Sequence, residues 1–234
     1  MSSEELTSFR LLCHKLKNVS YNVLSRFGYK YNLEVYDDEF YRSNQEEGLK
    51  LAEWFVPLLR DTFQFNSLLD IGCGTGHYLL ACQKLGIADV FGIEGSPFAF
   101  KHLLVANSLV VKHDLRQPYT FNRRWDLAIS IEVAEHIDDI ATDNYVKILT
   151  DGADAVVITA APLGQGGTRH VNEHSRDWWI DKFAVPGFRY DQKSTERLVA
   201  GAEKARAEKR HVTTWFEPNV MVFRRMTSTR QSVV

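Results

Sequence analysis

The sequence predicts a doubly wound α/β fold, and three observations carry that prediction. From about residue 67 onward, short apolar runs alternate with stretches of helical spacing. The runs are continuously apolar rather than alternating with polar residues, as strands are when a parallel sheet buries both faces. The first run also ends in a glycine-rich turn that feeds a helix, and strand–helix alternation of this kind builds parallel sheets. With 234 residues, 44% hydrophobic and 25% charged, the chain suits one such domain with extra elements. It is long enough to bury a core without disulfides or metals.

The elements follow in order. Leu6, Phe9, Leu12 and Leu16 recur at helical spacing and predict an N-terminal helix over about 5–27. Residues 28–43 interleave Tyr29, Tyr31, Tyr36, Phe40 and Tyr41 with Glu34, Asp37, Asp38 and Glu39. That mixture suits either a lid or a layer packed on the sheet. Asn44 reads as an N-cap, with Glu47 at the capping-box position, for a helix to about residue 62. Pro57 inside it implies a kink or an early break. The expected division is a helical cap, 1–60, and a main domain, 61–234. In the main domain, strands are expected over 67–71, 89–94, 109–113, 125–131 and 155–161, with helices over 77–85, 97–106 and 142–150. A glycine-rich loop over 163–168, a Trp-bearing helix over 175–183, a helix over 195–209 and a last strand over 220–224 complete the reading.

Composition removes several function classes. Net charge is −2, so no global basic field marks a nucleic-acid binder. The cysteines Cys13, Cys73 and Cys82 show neither a disulfide framework nor zinc-site spacing, which suggests reduced thiols and a cytoplasmic protein. The polar N-terminus is no signal peptide, and no apolar stretch is long enough to span a bilayer.

The segment that carries chemistry is Asp70-Ile71-Gly72-Cys73-Gly74-Thr75-Gly76-His77. Glycines let the backbone turn tightly and approach a ligand where a Cβ would collide. The helix N-terminus that follows offers free N–H groups and positive potential. The dinucleotide fingerprint would need its third glycine at position 77, where this chain has His77. Asp70 at the strand end would repel a pyrophosphate but attract an ammonium. The glycine spacing with this acid resembles motif I of class I S-adenosylmethionine-dependent methyltransferases.

Further landmarks fit the resemblance, which spans about 67–160. It implies S-adenosylmethionine as cofactor and a mostly parallel seven-stranded sheet with one reversed edge strand. It places Asp70, Gly72, Cys73, Gly74 and Gly76 at the cofactor, then Glu94 at the ribose hydroxyls, with Gly95 and Ser96 in the turn beyond. Asp114 is implied at the adenine amino group, beside apolar Leu115. The run Glu132-Val133-Ala134-Glu135-His136-Ile137 is similar to the post-strand motif of small-molecule methyltransferases, with Glu132 near the methionine end of the cofactor. The later loop from Ala160 to His174 contains His170-Val171-Asn172-Glu173 and resembles loops of some superfamily members linked to glycan modification.

The expected reaction is O-methylation of a small molecule or sugar, with His136 or His170 as the base, because an imidazole titrates near neutrality. Absence of an Asn-Pro-Pro-Tyr-type run argues against methylation of base nitrogens. No metal is expected, and His170, Glu173 and His174 are the alternative set should one bind. The rival readings are a macromolecular methyltransferase, a non-catalytic cofactor-binding module and, most remotely, a nicotinamide reductase. Nothing in the sequence sets the oligomeric state.

Overall fold

The structure, a computed structural model, describes residues 36–226. The helix expected over 5–27, together with Tyr29 and Tyr31, lies outside the described residues. The first described element is helix α1, Asp38–Phe63. It begins earlier than the sequence reading has it. Asp37, not Asn44, is the N-cap, its carboxylate accepting the Phe40 N–H at 3.0 Å. Asn44 lies within the helix and donates its side-chain amide to the Phe40 carbonyl. Pro57 sits inside α1 without ending it. The carbonyl it leaves unbonded belongs to Glu53, which is exposed and can be served by water. The boundary expected at residue 60 therefore falls within this helix.

The remaining elements are β1 (Ser67–Ile71), α2 (His77–Lys84), β2 (Asp89–Glu94), β3 (Val110–Lys112), β4 (Leu127–Ser130), α3 (Thr142–Gly152), β5 (Ala155–Thr159), α4 (Arg176–Ala184), β6 (Phe188–Tyr190), α5 (Gln192–Ala207), the single turn α6 (Phe216–Asn219) and β7 (Val220–Arg225). The segment expected to be a helix over 97–106 instead forms a short 3₁₀ turn, Ala99–His102, with a second at Asn107–Leu109. Between them Leu104 donates its N–H to the Thr75 carbonyl, tying this crossover to the glycine turn.

Seven strands among the described residues form one sheet, in the order β3-β2-β1-β4-β5-β7-β6. The first five pair in parallel, and β7 runs antiparallel to both β5 and β6. The expected mixed seven-stranded sheet is what the chain forms, with β6 unanticipated. The sheet is covered on both faces. One core unites α1, α2 and α5 through Phe55, Leu59, Leu79 and Leu198 with Leu68, Ile129 and Val157. The other packs α3 and α4 through Tyr145, Leu149, Trp179 and Phe183 onto Leu69, Ala128 and Val156. Strand order reverses between β1 and β4. That is where open α/β sheets leave a crevice beyond their carboxyl ends.

Candidate active site

A cleft of about 470 Å³ opens at that switch point. Its walls come from the glycine turn after β1 and the start of α2, the ends of β2 and β4, the segment after β3, the first half of α1, and His211, Thr213 and Trp215 in the segment before α6.

At the glycine turn, Gly72, Gly74 and Gly76 all hold positive φ. Gly72 shows why no other residue serves there. At its φ of +77° an added Cβ would fall 2.5 Å from Val133 Cγ2. Gly72 and Cys73 donate their N–H groups to the Ile93 carbonyl, which pins the turn to β2. Gly72 and Gly74 line the cleft, whereas Cys73 turns its sulfur inward against Gly92, where a Cβ would sit 2.6 Å away. Any part Cys73 has in binding is therefore through its backbone. Gly76 caps α2 in the left-handed conformation. His77, at the start of α2, lies on the wall, and burial pushes its imidazole down to about 4.

Two carboxylates stand behind this turn. Glu94 accepts the N–H of Gly74 at 2.8 Å and of Ser96 at 2.6 Å, so it braces the turn while facing the cleft. Burial raises its pKa, and these N–H groups counter part of the rise. Asp70 is 1% exposed, and its Oδ2 has no hydrogen-bond partner among the described residues. Burial, reinforced by Glu94, holds this carboxyl well above the usual range. A cradle that any Cβ would fill, backed by an orphaned acid, fits a ligand presenting both an ammonium and hydroxyls.

Gly95, Ser96, Asp114, Leu115 and Glu132 also line the cleft. Both Asp114 oxygens are engaged by Arg116, through Nε and Nη2 at 2.8 Å each. Burial alone would raise this carboxyl, but the guanidinium beside it brings it below its ordinary value. Glu132 ends β4 with a φ of 58°, a conformation that non-glycine residues hold only where the surroundings impose it. The Thr159 hydroxyl imposes it, accepting the Glu132 N–H at 2.7 Å and donating to its carboxylate at 2.9 Å.

The two histidines singled out in the sequence come together. Their rings meet edge to face, centroids 5.2 Å apart, although they lie on the β4 and β5 loops. His136 lies on the cleft wall, its Nδ1 3.1 Å from both the Tyr36 hydroxyl and the Arg169 carbonyl. Burial, partly offset by that carbonyl, pushes its imidazole down to about 4. His170 is 8% exposed and sits deeper. Its Nδ1 meets Glu173 at 3.0 Å, and Glu173 also accepts the N–H groups of Gly164 and Gly166. The alternative metal set does not assemble. His174 turns to Asp139 at 2.7 Å and stacks on Trp178. Two residues stand in places that the sequence does not specify. Tyr36 contacts His136 from one hundred positions away. Glu135 is wholly buried between the two loops, its carbonyl accepting the N–H groups of Val171 and Asn172. Its place three residues after Glu132 was the one available signal.

The comparisons agree with this geometry. The methyltransferase-domain family profile matches residues 41–203. The sugar N-methyltransferase KedS8 from Streptoalloteichus sp. ATCC 53650 superposes with a TM-score of 0.59 at 15% identity, over 81% of this chain and 92% of its own. The methyltransferase domain of bacterial CtHen1-C gives 0.52 at 16% identity, over 77% and 100%. An S-adenosylmethionine-dependent methyltransferase from Mesorhizobium loti gives 0.50 at 15% identity, over 74% and 98%. Identities this low speak for the fold. No curated protein matches the sequence, and no described helix is long and apolar enough to cross a membrane. Because the family profile spans most of the chain and the sheet, the crevice and the glycine cradle all accord with it, the chain belongs to the methyltransferase-domain family, the class I enzymes that use S-adenosylmethionine.

Proposed function

We propose that this chain methylates a hydroxyl of a small molecule or sugar. The observation that carries the reading is the half-buried imidazole of His136 on the wall of the same cleft as the glycine cradle, with the buried ring of His170 packed edge to face against it. When bound, S-adenosylmethionine supplies a sulfonium methyl that is already an activated electrophile. What remains for the protein is to hold donor and acceptor in line, exclude water and manage one proton.

Asp70 holds the ammonium, directly or through water, and Glu94 the ribose hydroxyls, exchanging its bonds to Gly74 and Ser96 for them. The backbone of Gly72, Cys73, Gly74 and Gly76 admits the ligand closely, with Gly95 and Ser96 in the adjoining turn. Leu115 would pack on the adenine, with Asp114 beside it, and Glu132 would serve the methionine end. His136 and His170 serve the acceptor. His136 Nδ1 faces the Arg169 carbonyl and the Tyr36 hydroxyl, and His170 Nδ1 faces Glu173; with the ring proton on Nδ1, donated to that carbonyl and that carboxylate, each Nε2 presents a lone pair. That lone pair would take the proton that the acceptor hydroxyl gives up on methylation.

The first test is calorimetric titration with S-adenosylmethionine, S-adenosylhomocysteine and NADH. Micromolar binding of the first two and none of the third is expected, and Asp70→Ala or Gly74→Val should abolish it. A panel of sugars, amino sugars and phenols with labelled methyl donor then identifies the acceptor. The amino sugars belong in it because one structural neighbour acts on a sugar nitrogen. His136→Ala and His170→Ala should lower turnover while largely sparing cofactor affinity. If neither slows transfer, the histidine assignment fails.

A further inference from the structure

We propose that Glu135, His136 and His170 form a binding site for a divalent first-row transition-metal ion beside the cleft. One donor atom from each of the three lies within 4.8 Å of the others. Bonds of about 2.0–2.2 Å to a shared ion put donors about 3–4 Å apart. The triad therefore closes on an ion by small side-chain shifts.

Glu135 supplies the observation that points to a cation. Its side chain is 0% exposed, and neither carboxylate oxygen has a hydrogen-bond partner among the described residues. A buried carboxylate without a partner is costly, and folds that keep one normally pair it or give it to a metal. The polar neighbour that its carboxyl does meet is a second acid, Glu132, which brings like charge and no cation to the pocket. No lysine or arginine reaches either carboxylate within ion-pair distance among the described residues. Thr159 donates to Glu132, and the groups nearest Glu135 that could share a cation with it are the two imidazoles.

The imidazoles are also in the ligating tautomer. His136 Nδ1 faces the Arg169 carbonyl at 3.1 Å, and His170 Nδ1 faces the Glu173 carboxylate at 3.0 Å. A metal-bound histidine commonly donates its other ring N–H to just such a carbonyl or carboxylate, which fixes its orientation. The support extends one layer further. Glu173 is held by the Gly164 and Gly166 N–H groups, at 2.8 and 2.7 Å. Gly167 packs so closely on the His170 ring that a Cβ there would lie 2.3 Å from Nε2, so the loop leaves the ring a single position. Two nitrogens and one carboxylate select manganese, iron, cobalt or zinc over calcium.

Binding itself does not depend on the methyl-transfer reading. Its role does: an ion here would take the two Nε2 lone pairs and draw charge from the acceptor hydroxyl, whose proton then passes to water instead of an imidazole.

The test is titration of the full-length, chelator-treated protein with MnCl₂ alone, followed by calorimetry and by the Mn²⁺ electron paramagnetic resonance signal. One ion per chain is expected. Glu135→Gln and His170→Gln should each weaken binding by at least tenfold, and Glu173→Gln by about tenfold through loss of the histidine's support. His174→Ala should bind as the wild type does. Circular dichroism establishes that each variant is folded, and His170→Gln keeps the question open should Glu135→Gln fail to fold. No binding of Mn²⁺, Co²⁺ or Zn²⁺ by the wild type, or unchanged binding in both ligand variants, overturns the site. Titration with S-adenosylhomocysteine in parallel separates the two readings. Ion binding without cofactor binding sinks the methyltransferase function and keeps the site, and the converse result sinks the site alone.

Discussion

Asp70 is a residue in which stability and ligand binding pull apart. Its carboxylate is buried, half unpartnered and held well above its usual pKa by burial and by Glu94. A group whose pKa rises on folding stabilises the fold while protonated, and that contribution is lost as pH climbs through the folded value. The ligand-free protein should therefore lose stability from mildly acid towards about pH 8, and Asp70→Asn should remove part of that loss. Scanning calorimetry should show the variant melting above the wild type at about pH 8, with the gap narrowing as pH falls towards the ordinary carboxylate range of about 4. Identical melting at both would show that the buried charge carries no such penalty. Gly72 gives the opposite case. Gly72→Ala puts a Cβ 2.5 Å from Val133 Cγ2 at a φ of +77°, and should cost about 1–3 kcal/mol in urea unfolding. Residues such as these were legible in the sequence because their chemistry is local to one strand, turn and helix. The contacts of Tyr36 and Glu173 were not, although both residues stood out in the sequence, because they depend on partners that only the tertiary fold supplies: His136 for the first, the Gly164 and Gly166 amides with His170 for the second.

At the scale of elements, α1 shows what local signals can and cannot decide. Asn44 and Glu47 make a plausible start, yet Asp37 caps the helix two turns earlier and the capping-box reading loses. Pro57 should have broken the helix, and it survives with Glu53 on the exposed face of the helix while Phe55, Val56 and Leu59 stay in the core. Core packing here outweighs the proline. It follows that Pro57→Ala should stabilise the protein by about 1–3 kcal/mol, the usual proline penalty less whatever the site has already relaxed. Equilibrium denaturation measures this directly, and an unchanged or lowered midpoint would mean that Pro57 is strain-free where it sits. The two elements misread elsewhere have physical causes of the same kind. β6 is three residues long, too short to show a period, and is made a strand by pairing with β7. The segment over 97–106 is polar and apolar at roughly helical spacing, but the bond from Leu104 to Thr75 draws it across the glycine turn instead.

The whole molecule divides its work between two cores and one crevice. The parallel strands β1, β2 and β4 were readable because burial on both faces demands continuous apolar runs. Their order in the sheet was not, because no local pattern records which strand lies beside which. That order creates the switch point, so the cleft is a property of topology and not of any one motif. A ligand that fills it binds only the folded chain, and its effect can be forecast. S-adenosylhomocysteine at about one hundred times its dissociation constant should stabilise the protein by about 2.7 kcal/mol. For a chain of this size that corresponds to a rise in Tm of about 5–10 °C. NADH should give none, because His77 stands where the dinucleotide fingerprint needs glycine. The shift should also change little with salt, since a chain of net charge −2 is not holding its ligand through a field of phosphate contacts. A shift with NADH alone would return the glycine turn to the dehydrogenases. A shift with S-adenosylhomocysteine in the wild type, lost in Asp70→Ala, would tie cofactor binding to the acid behind the cradle.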